Sequence, residues 1–219
     1  MYLREAILSG RCAGGARLNL DEIARAVGAS RMPVREAIRQ LAAEGFVTIR
    51  PNRGVVVTEL TAEDIVELFE TRAVLEGLAA RVAATRMDAD ALAELEMLLG
   101  RMERSRGTPA AWLRSHDEFH GTICRWSGRQ RLVEQTTLHR RRVEPYLRVH
   151  VGVYDPPELG GSEHSTLIEA LRGGDPARAE AAMRHHVELG AAYVVDVLKT
   201  TGEGPHVTAT GAAGREARG

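Results

Sequence analysis

Apolar residues recur at helical spacing along most of this chain, and only one stretch breaks into strand-like runs. Between Asp21 and Gly54, Ile23, Ala24 and Val27 form a short apolar face that Gly28 ends, and Val34, Ile38 and Leu41 form a second. Asn19 is placed to cap the first of these helices, with Glu22 closing a capping box. Ser30 is placed to cap the next, and Pro33 is tolerated in its first turn, where N–H groups have no intrahelical partner. Phe46–Ile49 and Val55–Val57 flank the turn Pro51-Asn52-Arg53-Gly54, which predicts a β-hairpin with Arg53 at its tip and Gly54 free to take a positive φ. Two short helices followed by such a hairpin are a helix-turn-helix with a wing.

Beyond the wing the period is helical throughout. Glu59-Leu60-Thr61, without Gly or Pro, reads as a short, defined linker. Thr61 and Asp64 form a capping pattern for a long helix carrying Ile65, Leu68, Phe69, Leu75, Ala79 and Val82 on one stripe. Asp88 caps a second helix with Leu92, Leu95, Leu99 and Met102 inward. A third holds Trp112, His116, His120 and Ile123 and breaks at Ser127-Gly128. A fourth runs from Arg129 to about His150, with Pro145 expected to kink it. Tyr154 to Gly161 reads as a loop. A fifth helix carries His164, Leu167, Ile168 and Leu171, and Asp175-Pro176 starts the last, to about Lys199.

The expected architecture is mainly α: a winged helix-turn-helix of three helices plus a β-hairpin, joined to an all-α C-terminal bundle of about six helices. The boundaries fall at residues 1–58 for a DNA-binding unit, 59–61 for the linker and 62–199 for the bundle. Residues 200–219, rich in Gly, Ala and Thr, form a tail without periodicity that is expected to be disordered.

Composition changes this picture little. The 219 residues are 44% hydrophobic but only 4% aromatic, which suits an aliphatic helical protein. No apolar run approaches the roughly 20 residues of a membrane span, and charges break up any signal-peptide pattern at the N-terminus. Cys12 and Cys124 lack metal or redox spacing and read as reduced thiols of a cytoplasmic protein. Charge is more telling. Residues 1–57 hold nine arginines against five acidic residues, so a +4 head sits on a −5 body within an overall charge of −1.

Two sets of residues carry candidate chemistry. Arg31, Arg35 and Arg39, spaced by four, share one face of the second helix of the motif. A guanidinium fork matches guanine O6 and N7, and phosphate equally well, so these residues with Arg53 and Gly54 at the wing point to a DNA major groove. The alternative is a solvated basic face. In the body, His116 and His120 stand at i and i+4, while His164 and His186 lie on the apolar stripes of two other helices. Four imidazoles on inner faces are either a divalent-metal site or hydrogen-bonded core histidines. Arg72 lies on an apolar stripe and needs an anion, either Glu76 one turn on or a bound ligand.

Leu3-Arg4-Glu5-Ala6-Ile7, SRMPVREAIRQLAAEGFV and the Arg53-Gly54 wing resemble the GntR family of bacterial winged helix-turn-helix regulators. Gly14-Gly15 stands where that family usually has Pro-Gly. LFETRAVLEGLAARVAA, HDEFH with Ser127-Gly128, and EHSTLIEALRGGDPARAEAAMRHHV are similar to the FadR-type C-terminal domain, FCD. That resemblance implies a homodimer, a divalent metal held by one Asp and three His, and a small carboxylate effector beside it. His120, His164 and His186 match the family histidines and Arg72 matches the arginine that often meets the effector. The family Asp falls on His116, with Asp117 one residue off that face, and Arg129 replaces the usual Asn after Ser-Gly. A four-nitrogen set suits zinc or nickel better than an oxygen-preferring ion.

The expected function is therefore a DNA-binding repressor, not an enzyme, that binds double-stranded operator DNA under control of a small carboxylate metabolite. Two alternatives stand beside it. His116-Asp117-Glu118-Phe119-His120 superficially resembles a zinc-hydrolase helix, although Asp117 stands where the general-base glutamate belongs. The metal could also be purely structural.

Overall fold

A computed structural model describes residues 2–50, 54–153 and 162–201. The tip of the wing with Arg53, the loop at 154–161 and the tail beyond Thr201 lie outside the described residues. The chain is mainly α, with nine helices and one small sheet among the described residues.

The N-terminal part is built from α1 (Tyr2–Leu8), β1 (Arg17–Leu18), α2 (Leu20–Ala26), α3 (Arg31–Ala43), β2 (Val47–Arg50) and β3 (Gly54–Val57). Its core joins Leu3, Ile7, Leu18, Ala24, Val34, Ile38, Leu41, Phe46, Val47, Val55 and Val57. Asn19 caps α2 by accepting from the Asp21 and Glu22 N–H groups. Glu22 does not complete the capping box; its carboxylate accepts instead from the Asn19 side-chain amide at 3.0 Å. Ser30 is the N-cap residue of α3, yet its side chain makes no capping bond. β1 adds a third strand to the expected hairpin. The order is β1-β3-β2, all antiparallel, with Arg17 opposite Val56 and Arg50 opposite Gly54. A two-residue strand is too short to leave an alternation in the sequence. Gly54 takes φ 81°, which only glycine adopts without strain.

The C-terminal bundle comprises α4 (Ala62–Ala83), α5 (Ala89–Arg104), α6 (Pro109–Trp126), α7 (Gln130–Val153), α8 (Ser162–Arg172) and α9 (Pro176–Thr201). Thr61 and Asp64 close a full capping box at the start of α4. α7 continues through Pro145. Ile65, Phe69, Leu95, Met102, Phe119, Ile123, Val143, Leu167 and Met183 form the shared core, most of them fully buried. α9 lies along α4, and α6 packs between α5 and α7. α7 also meets the N-terminal part: the Tyr146 hydroxyl accepts the Leu60 N–H at 2.7 Å, and Arg148 pairs with Glu5 at 3.0 Å. No helix of the described residues is long and apolar enough to cross a membrane.

Candidate DNA-binding face and metal centre

The second helix of the motif, α3, buries Val34, Ile38 and Leu41 and leaves Arg31, Arg35 and Arg39 exposed on its other side. The helical period makes this division: positions four apart stack, and Arg35 and Arg39 each follow a buried residue, Val34 and Ile38, by one position or about 100°. Arg31 is held by Asp21 of α2, donating from Nη2 to Oδ2 at 2.7 Å. Arg39 lies 3.4 Å from Glu36. Among the described residues Arg35 has no carboxylate partner. The wing carries two further arginines, Arg50 opposite Gly54 and Arg17, whose Nε would lie 3.4 Å from a side chain at Gly54. Spacing along the chain does not single out Arg17, because its strand is two residues long.

The bundle interior gathers His116 and His120 of α6, His164 of α8 and His186 of α9. One ring nitrogen from each lies within 4.8 Å of the others. Their rings are close-packed: His164 and His186 have centroids 4.4 Å apart and His116 and His120 4.5 Å. Trp112 stacks on His116 at 4.7 Å and Phe119 meets His164 edge-on at 5.1 Å, so apolar rings close the outer side. Burial pushes the His116 and His186 imidazoles well below their usual range, and the neighbouring histidines add to the effect. Both are therefore neutral near pH 7, the form that can ligate a metal.

Glu76 of α4 completes this arrangement and is the group that spacing did not reveal in this role. It is fully buried, and its Oε2 lies 2.7 Å from His120 Nδ1. Burial alone would raise the Glu76 carboxyl, but the Arg72 guanidinium, then His120 and Arg140, outweigh it and hold the group ionised. An ionised carboxylate only accepts, so His120 Nδ1 carries the proton and donates. Its Nε2 lone pair then points into the cluster, 3.2 Å from His186 Nε2. Tetrahedral ligands at zinc–nitrogen bonds of about 2.0–2.1 Å sit about 3.3 Å apart, so this pair already has metal-site spacing. The full spread of 4.8 Å is wider, and the other imidazoles must close in on an ion.

Arg72, only 2% exposed, donates from Nε to Glu76 Oε1 at 2.8 Å and lies over the Phe69 ring at 4.6 Å. Glu76 is the structural partner of Arg72, while the guanidinium Nη1 is buried with no acceptor. Asp117 is turned roughly 100° round α6 from His116. It is not among the clustered groups, and its Oδ1 accepts from Arg140 Nε at 2.9 Å. Arg72 and His116 line a cavity of about 480 Å3 that extends past Asp117 and Gly121 to Arg125 and Arg140. A second space, of about 50 Å3, is bordered by Arg72, His116, His164 and His186 together with Phe69, Trp112 and Tyr193. A larger cavity, of about 550 Å3, opens between the wing and α4 beside Val47, Ile49 and Leu68, away from the histidines.

Comparison with known proteins matches residues 1–57 to bacterial regulatory proteins of the gntR family and residues 67–189 to the FCD domain. The "Probable D-xylose utilization operon transcriptional repressor" of Paenarthrobacter nicotinovorans is 32% identical over 202 residues, covering 90% of this chain and 85% of that one. The Nta operon transcriptional regulator of Aminobacter aminovorans is 34% identical over 186 residues, or 84% of this chain and 87% of the other. The solved structure of E. coli McbR/YncC shares the fold, with a TM-score of 0.74 at 23% identity over 90% of this chain and 94% of that one.

Proposed function

The chain belongs to the GntR family, as a DNA-binding transcriptional regulator with an FCD domain behind its winged helix and not as an enzyme; from that premise we propose that a small acid bound beside a divalent metal sets its affinity for operator DNA. The observation that carries the proposal is the convergence of four imidazoles around Glu76-oriented His120, next to a buried arginine with an unsatisfied N–H group.

In this reading residues 1–58 bind DNA, 59–61 link, and 62–199 sense. Arg31, Arg35 and Arg39 face the major groove, with Arg53 and Gly54 at the wing, and Arg17 and Arg50 add phosphate contacts there. Asp21 fixes the Arg31 fork before DNA arrives, which reduces the side-chain entropy lost on binding. Two copies bind as a homodimer to an imperfectly palindromic operator and repress transcription.

His116, His120, His164 and His186 hold the metal, and all four donors are neutral nitrogens, which favours zinc or nickel. An ion held by these four residues would have to expand beyond four-coordination to supply a Lewis-acidic anchor for one carboxylate oxygen. Arg72 Nη1 supplies the second contact, and its Nε bond to Glu76 fixes the direction of the fork. The charge on the ligand is thus met at two points that the fold holds rigidly. A metal with a structural role alone is the competing reading, and the open acceptor position on Arg72 favours the sensor.

The test uses untagged protein analysed for metal, then titrated against a promoter fragment from its own locus and against random DNA at physiological salt. Preference for the promoter, with an affinity that carboxylic acids shift only in metal-loaded protein, is the expected result. Equal affinity for both DNAs overturns the DNA assignment for this operator. Promoter binding that no acid alters leaves the structural metal as the better reading.

A further inference from the structure

The cavity beside the histidines has a second cationic end. Gly121 lies in the interior of α6, where glycine weakens a helix relative to alanine. A side chain there would lie 3.2 Å from Arg125 Nη1 and 3.6 Å from Arg140 Nη2. The bare backbone therefore leaves room for two guanidinium ends to converge on one spot of the cavity wall. Each keeps one terminal nitrogen, Arg125 Nη1 and Arg140 Nη2, without a hydrogen bond among the described residues. Arg140, itself 6% exposed, gives Nε to Asp117 and approaches Cys124 Sγ with Nη1 at 3.6 Å. Arg125 gives Nη2 to Thr122 at 2.7 Å and stays 3.8 Å from Glu94.

We propose that the ligand of this centre is a two-headed anion, one head on the metal and Arg72, the other on Arg125 and Arg140 above Gly121. The inference rests on the metal-and-acid reading given above. At the inner end, the buried Arg72 Nη1 lacks an acceptor, and Phe69 beneath the guanidinium plane cannot serve as one. At the outer end, two guanidiniums border the same space of about 480 Å3. His116 and Gly121 stand five residues apart on α6, roughly 7.5 Å along its axis and about 140° round it, and both border the one cavity that connects the two ends.

Charge bookkeeping points the same way. The Arg72 charge is balanced by Glu76 and the Arg140 charge by Asp117, while four neutral imidazoles leave a divalent ion's two positive charges uncompensated. One carboxylate removes half of that excess at the metal, and Arg125, 3.8 Å from Glu94, places a further cation at the other end of the cavity. The cavity wall also carries Arg114 and the carboxyls of Glu118 and Glu144, and Arg125 and Arg140 are the two cations that converge over Gly121.

The experiment titrates zinc-loaded full-length protein by calorimetry with butyrate, succinate, glutarate, adipate and 3-phosphoglycerate. At least one two-headed acid should bind ten-fold or more tightly than butyrate, and comparison of the diacids with the phosphorylated acid tells which group fills the outer position. Arg125→Ala, at an exposed side chain, should reduce that acid to the affinity of butyrate, and Gly121→Ala should do the same by filling the floor. Equal affinities across the series, no binding by any acid, or a preference that survives Arg125→Ala overturns the inference while leaving the metal centre standing. Protein that takes up no zinc overturns the centre itself and the inference with it.

Discussion

Arg35 and Arg72 are the same side chain in opposite settings. Arg35 stands on the outer face of α3, exposed and without a carboxylate partner among the described residues. Arg72 is 2% exposed inside the bundle, tied to Glu76 and stacked over Phe69. An exposed guanidinium is solvated whether or not it has a partner, so it can await DNA at no cost to the fold. A buried one must be neutralised at once, because desolvating a lone charge costs several kcal/mol. The basic face of α3, proposed to bind DNA, is thus uncoupled from stability, whereas the chemistry of the bundle is part of its core. Experiments that separate stability from binding test this contrast directly.

The largest effect should come from Glu76→Ala, which strands the buried Arg72 charge and releases His120. Breaking a buried pair from one side costs about 3–5 kcal/mol, readable as a lower midpoint in urea unfolding. A loss below about 1 kcal/mol would mean that water already reaches the pair and that the two settings are alike.

Metal loading should come next. Zinc at one hundred times its dissociation constant should stabilise the fold by about 2.7 kcal/mol, and His164→Ala should abolish the gain. The effect should fade with acid. Burial depresses the His116 and His186 imidazoles in the folded chain, so the unfolded chain takes up protons first as pH falls below about 6.5. Stability from these groups is therefore full above that pH and lost below it, and proton competition for the ligands runs in the same direction. A zinc-induced shift in melting temperature that is constant from pH 7.5 to 5.5 would argue against imidazole ligands.

Arg35→Ala should behave in the opposite way to Glu76→Ala. Operator affinity should fall by about 1–3 kcal/mol per half-site, if the contact is bidentate, and the unfolding midpoint should stay within about 0.5 kcal/mol of the parent. Anisotropy titrations and urea melts on the same preparation give both numbers. A destabilised variant with unchanged operator affinity would reverse the roles assigned to the two regions.

The smallest effect should be Asn19→Ala. The Asn19 side chain accepts two N–H groups at the start of α2, and losing such a cap costs about 1 kcal/mol of stability. Because α2 carries Asp21, which holds Arg31, a matching drop in operator affinity would show that α2 order reaches the DNA face. An unchanged urea midpoint would mean that the Asn19 cap adds nothing to the end of the helix.

The helices, their caps at Thr61 and Asp88, the basic face of α3 and the inward sides of α6, α8 and α9 were all legible from residue spacing. The reason is that a helix is local: position in the 3.6-residue period sets which side chains share a face, whatever surrounds them. Strand β1 was not legible, because two residues carry no period. The period put His116 on the inward side of α6 and Asp117 about 100° away, but it did not reveal the partner of Asp117, Arg140, 23 positions further on. The bond from Glu76 to His120 spans 44 positions and sets both the tautomer and the charge of the centre. The convergence of Arg125 and Arg140 over Gly121 likewise exists only once α6 and α7 pack together. Facing is a property of the chain itself, but burial, partner and protonation depend on which distant side chains displace the water.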